Sequence, residues 1–103
     1  MNKLPAEVKV GNRVYQCGDL QQPNHALNGV CHVEEGVIYV AKDLQKDFHL
    51  EIAVHELLHA IWANYNIQDE DDEERTVSQL ATGLTQVLLD NPELLKYIQS
   101  QVK

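Results

Sequence analysis

Up to about residue 45 the apolar positions fall in short runs broken by turn residues. From Lys46 onward they recur with the 3.6-residue period of a helix. Val8-Lys9-Val10 and Val14-Tyr15-Gln16-Cys17 flank Gly11-Asn12, a dipeptide suited to a tight hairpin. Gly29-Val30-Cys31-His32-Val33 and Val37-Ile38-Tyr39-Val40 flank Glu34-Glu35-Gly36, which predicts a second hairpin with glycine at its turn. Between them, Asp19 to Asn28 carries Gln, Pro, Asn and His and reads as a loop.

The first helix is expected over about 46–66. With His55 as the origin of a helical wheel, Val54, Leu57, Leu58, Ile61 and Tyr65 form one apolar face, while Phe48, Ile52 and Trp62 fall on the side of His55 and His59. A helix apolar on two sides belongs between layers. The second helix, over about 71–89, carries a stripe of Val77, Leu80, Ala81, Leu84, Val87 and Leu88. Asn91-Pro92 ends it, and Pro at a first-turn position opens a third helix over 92–101. The pattern therefore predicts an α+β fold. A small antiparallel sheet of three or four strands, over about 7–41, precedes three helices within one domain spanning 1–103.

Composition narrows the function. The chain of 103 residues is 44% hydrophobic and 23% charged, within the range of globular domains. Eight Lys and Arg against 16 Asp and Glu give a net charge of −8. Binding to nucleic acid or to an anionic membrane surface needs clustered cations, so neither is expected. Cys17 and Cys31 are too few for a disulfide framework and read as small strand residues. No run approaches the roughly 20 apolar residues of a membrane span, and Met1 to Glu7 lacks the apolar core of a signal peptide. A cytoplasmic protein is expected.

The chemistry is concentrated in His55-Glu56-Leu57-Leu58-His59. Helix positions four apart lie about 40° apart around the axis, with Cβ atoms about 5–6 Å from each other. Both imidazoles can reach one ion at about 2.0–2.1 Å, the distance of a zinc–nitrogen bond. Glu56 projects about 100° from His55, beside the pair, where its carboxylate can take a proton from a water that the ion activates. Two solvated or core-satisfied histidines are the plain alternative. Against it, Phe48, Ile52 and Trp62 surround the pair, and buried rings need partners.

A catalytic zinc requires a third protein ligand and one open position. The acidic run Asp69-Glu70-Asp71-Asp72-Glu73-Glu74 sits where the second helix starts and suits the positive end of its dipole. Its last members, Glu73 and Glu74, lie one turn before Val77, and either could point inward. By wheel angle Glu73 is nearer the centre of the apolar stripe and Glu74 lies on its edge.

A His-Glu-x-x-His helix followed by a glutamate opening the next helix resembles the gluzincin zinc peptidases. Within them it is most similar to the small ImmA/IrrE-like metallopeptidases, many of them carried by phages and mobile elements. The resemblance covers roughly residues 29–92. It rests on apolar or small residues at +3, +6, +7 and +10 from the ligand glutamate, here Val77, Leu80, Ala81 and Leu84 counted from Glu74. It departs at Leu58, where many relatives have Gly, and it lacks their Leu-Leu-Met-Pro helix ending.

The resemblance implies a zincin-like minimal fold holding Zn2+ on His55, His59 and Glu74, with Glu73 as the alternative ligand. It implies Glu56 as the catalytic base hydrolysing a peptide bond, and a protein or peptide substrate paired along an edge strand at Val37, Ile38 and Tyr39. For a phage-encoded member, the cytoplasm is that of a bacterial host. Tyr65, His49, His32 and Tyr39 are the candidates for stabilising the oxyanion. A zinc-stabilised binding or regulatory module without turnover would need a fourth protein ligand, which His32 or His49 could supply. A metal-free α+β adaptor is the third reading.

Overall fold

The computed structural model of the chain describes residues 3–21, 27–67 and 72–102. Four strands, β1 (Glu7–Val10), β2 (Arg13–Asp19), β3 (Gly29–His32) and β4 (Val37–Val40), precede three helices. These are α1 (Lys46–Asn64), α2 (Glu73–Asp90) and α3 (Pro92–Gln101). The α+β reading holds. His25 and Asp69 to Asp71 lie outside the described residues.

Both expected hairpins form. Val10 pairs with Arg13 across Gly11, and Gly36 closes the turn between β3 and β4; both glycines have positive φ, 63° and 71°. A side chain at either would be strained, which is why glycine occupies both turns.

The sheet corrects one expectation, because it is mixed and not antiparallel throughout. Its order is β1-β2-β4-β3, with β2 and β4 parallel from Gln16↔Val37 to Asp19↔Val40. Turn chemistry fixes how each hairpin closes, but not which strand of one hairpin docks on the other. β4 takes the interior because it is the more apolar strand, with Ile38 and Val40 each 1% exposed. β3, with Gly29, Cys31 and His32, is left at the edge.

One face of the sheet carries the core. Val10, Tyr15, Ile38 and Val40 pack with Ala53 and Ala60 of α1, and Val8, Cys17, Cys31, Ile52 and Leu57 close the margin. Tyr15 is fully buried, and its hydroxyl accepts a hydrogen bond from Asn64 Nδ2 at 2.6 Å. Cys17 and Cys31 both pair with Ile38 from opposite sides, so they stand two strand spacings apart, about 9–10 Å. That is too far for a disulfide, and both are free.

α1 lies between the sheet and α2, as its two apolar faces predict. Phe48 departs from that expectation and is exposed, as are Ile61 and Tyr65 near the other end of the helix. On α2 the buried positions are Val77, Ala81 and Thr85, while Leu80, Leu84 and Val87 of the expected stripe are 52%, 44% and 47% exposed. α3 buries nothing and packs only on α2 among the element pairs with substantial contact.

The Thr85 hydroxyl is buried without a hydrogen-bond partner among the described residues. An orphaned buried hydroxyl costs about 1–3 kcal/mol, and valine reproduces its shape without it. Thr85→Val is therefore expected to raise stability by about 1 kcal/mol, read as a higher urea midpoint at unchanged slope. A lower midpoint would show that the hydroxyl is satisfied in solution.

Candidate metal centre

α1 and α2 run antiparallel, since Glu51 meets Thr82 near one end of the contact while His59 meets Glu73 and Glu74 at the other. This brings the second residue of α2 to the histidine pair. His55 Nε2 and His59 Nε2 are 3.2 Å apart, Glu74 Oε1 is 2.7 Å from His59 Nε2, and Glu74 Oε2 is 3.0 Å from His55 Nε2. Ligand atoms of these three residues all lie within 4.8 Å of one another.

The donor set fits a metal ion. A tetrahedral zinc with bonds of about 2.0–2.1 Å has donor–donor edges of about 3.3–3.4 Å. The two histidine nitrogens, 3.2 Å apart, match one such edge, and each Glu74 oxygen lies against a different one of them. The chemistry agrees with the distances. Two imidazole nitrogens and a carboxylate are lone-pair bearers that gather only around positive charge, a proton or a metal cation. Among the described residues no fourth donor joins the group.

Glu74, the glutamate implied by the resemblance, is thus the one placed with the histidines. Glu73 is also at the site but on another atom, with its Oε2 2.8 Å from His59 Nδ1. The structure explains why the wheel pointed to Glu73. The buried line Val77-Ala81-Thr85 is turned roughly 60° from the centre of the expected stripe, which brings Glu74 round to the interface. A polar Thr85 inside the line and exposed leucines beside it hid that rotation from the apolar pattern. Asp72, the N-cap residue, makes no side-chain capping bond, so capping does not account for this part of the acidic run.

Glu56 lies beside the donors without joining them. Its residue is 7% exposed, and it shares a cleft of about 830 Å³ with His55, His59, Glu73 and Glu74. The far wall is β3. Gly29 is pressed so closely on α1 that a Cβ there would stand 2.6 Å from Ile52 Cγ2 and 3.2 Å from Glu56 Oε2. Burial pushes the Glu56 pKa up to about 7, with His59 opposing the rise and Glu74 adding to it. For His59, burial pulls the pKa down, but hydrogen bonds to Glu73 and Glu74 outweigh it and the net shift is upward. Burial and the nearby Glu56 and Glu73 carboxylates push the Cys31 thiol up to about 11.

The edge-strand expectation is corrected. Val37, Ile38 and Tyr39 belong to β4, which is paired on both sides and has no free edge. The free edge at the cleft is β3. Of the four oxyanion candidates, only His32 lines the cleft. Tyr65 borders Gly11 beyond the far end of α1, Tyr39 lies over Gly18 of the sheet, and His49 is buried in the first turn of α1. Sequence reasoning missed Gly29, although an isolated glycine inside a strand pattern is a known sign of close backbone approach.

Compared with models of known protein families, with curated proteins and with solved structures, the chain matches none.

The pKa shifts set the sign of a pH effect on the metal-free protein. Glu56 is raised from 4.5 to about 7 on folding, so its contribution to stability is present below pH 4.5 and lost as pH rises through 7. His59, raised above 6.5, acts in the same direction. In the metal-free protein, stability is therefore expected to fall between about pH 5 and 8, read as a falling melting temperature. A melting temperature that is flat across this range would contradict the burial assigned to Glu56.

Proposed function

We propose that this protein is a zinc-dependent peptidase of the gluzincin type, hydrolysing a peptide bond in an extended protein or peptide segment. One observation carries the reading: three donors from two helices converge, and a buried carboxylate outside the donor set faces the same cleft. A purely structural zinc would call for a fourth protein donor, whereas three leave a position for water. The likeness of His55-Glu56-Leu57-Leu58-His59 and Glu74 to the ImmA/IrrE-like peptidases supports the same assignment.

His55, His59 and Glu74 would hold the ion. When bound, it would supply Lewis-acid polarisation of the scissile carbonyl and lower the pKa of water toward about 7. Glu56 accepts the proton of the attacking water and passes it to the leaving amine. Its burial in the cleft beside the donors, outside the donor set, suits a carboxylate that takes a proton and returns it. The outer edge of β3, which pairs with no other strand among the described residues, is available to an extended substrate as an added strand, which would lay the chain along the cleft past Glu56. His32, at the same wall, is the remaining side chain to steady the developing oxyanion. No helix among the described residues is long and apolar enough to cross a membrane. The family likeness makes the cytoplasm of a bacterial host the place of action.

Glu56→Gln removes the base but no ligand. It is expected to bind one Zn2+ as wild type does while cleavage of a peptide library, read by mass spectrometry, falls about 10²–10⁴-fold. His59→Ala should lose the ion and unfold at lower temperature. Undiminished cleavage by Glu56→Gln would end the catalytic assignment. Zinc binding by wild type without cleavage of any peptide would favour the non-catalytic binding module.

A further inference from the structure

The imidazole of His59 is held from both of its nitrogens. Nε2 faces the donor group, 2.7 Å from Glu74 Oε1 and 3.2 Å from His55 Nε2. Nδ1, on the other side of the ring, is 2.8 Å from Glu73 Oε2. Consecutive helix residues diverge by about 100°, so Glu73 and Glu74 reach the same ring from different directions. The Glu73 side chain is 34% exposed and that of Glu74 70%, which makes Glu73 the more enclosed of the two.

A neutral imidazole carries one proton. To offer its Nε2 lone pair to a cation, His59 must keep that proton on Nδ1, and Nδ1–H then needs an acceptor. Glu73 is in place to be that acceptor.

We propose that Glu73 is a positioning residue for the metal site. It accepts the Nδ1–H of His59, fixes the tautomer that leaves Nε2 free, and locks the ring toward His55 and Glu74. The inference rests on the reading of His55, His59 and Glu74 as metal ligands. It assigns the two adjacent glutamates different work, one to the ion and one to the histidine. Without the Glu73 acceptor the ring can rotate or move its proton to Nε2, and either change competes with metal binding. Carboxylates that orient ligating histidines in this way typically contribute 10–100-fold to metal affinity.

The test is a Zn2+ titration of metal-free wild type, Glu73→Gln, Glu73→Ala and Glu74→Gln against a chromophoric chelator. The absorption spectra of the Co2+-substituted forms are recorded in parallel. Glu73→Ala is expected to weaken Zn2+ binding about 10–100-fold. Glu73→Gln should lie between it and wild type, because the amide oxygen still accepts from Nδ1–H. Both Glu73 variants should keep the Co2+ band pattern of wild type, since no ligand is lost, whereas Glu74→Gln should change it. Glutamine is nearly isosteric with glutamate, so this variant reports even if the alanine variant folds poorly.

Wild-type affinity in both Glu73 variants would overturn the proposal. So would a Glu73 spectrum altered as in Glu74→Gln, which would make Glu73 a ligand. Failure of wild type to bind Zn2+ is a separate outcome, and it would remove the metal-site reading together with this one.

Discussion

Two imidazole nitrogens and a carboxylate share a space about 3 Å across at the junction of α1 and α2, and the rest of the site is arranged around that crowding. Their lone pairs can face one another only with a proton or a cation between them. The helices nevertheless hold them together through apolar contacts elsewhere. Val54, Val77 and Ala81 are buried apart from the sheet-side cluster, and Val77 and Ala81 are small enough to let α2 approach closely. Thr82 adds a hydrogen bond to Glu51 at 3.0 Å. Packing thus brings the donors together, and a proton or a bound cation between them would satisfy their facing lone pairs.

The sheet contributes the other wall. β3 lies against α1 at Gly29, where only a hydrogen fits between the strand and Ile52. That contact explains how Glu56 is buried although it lines a cleft. Water is kept from one side of the carboxylate by strand backbone, and the pKa rises as a result. The free edge of β3 follows from the same placement, because β4 occupies the interior and leaves one side of β3 without a partner strand among the described residues.

Much of this was legible in the sequence, and the remainder was not for identifiable reasons. Two hairpins, for a sheet of three or four strands, and three helices followed from period and turn residues, and α1 between two layers followed from its two apolar faces. The histidine pair was legible because i,i+4 geometry is local to one helix. The parallel pairing of β2 with β4 was not, since it joins segments about 20 residues apart and no local signal encodes it. The edge-strand assignment failed for that reason. The choice between Glu73 and Glu74 turned on the rotation of α2 about its own axis. An apolar stripe fixes that angle only when all of it is buried. Here Leu80, Leu84 and Val87 are exposed while Thr85 is buried, so the stripe pointed about half a quadrant or more away from the true contact line.

An acidic stretch at a helix start ordinarily reads as dipole compensation, and here that reading is incomplete. Glu73 and Glu74 occupy the first turn of α2, where the exposed backbone N–H groups stabilise negative charge. This eases the placement of two adjacent carboxylates near a third, Glu56, in a protein already at −8. Yet neither side chain is left to solvent alone. Each reaches a different nitrogen of His59. The helix terminus therefore supplies a low-cost location for anions, and the 100° step between successive residues divides them between the two sides of one ring. A single acidic residue at that terminus could satisfy the dipole or touch one nitrogen, but it could not hold the ring from both sides. That geometry gives a physical reason for paired glutamates at this point in the chain.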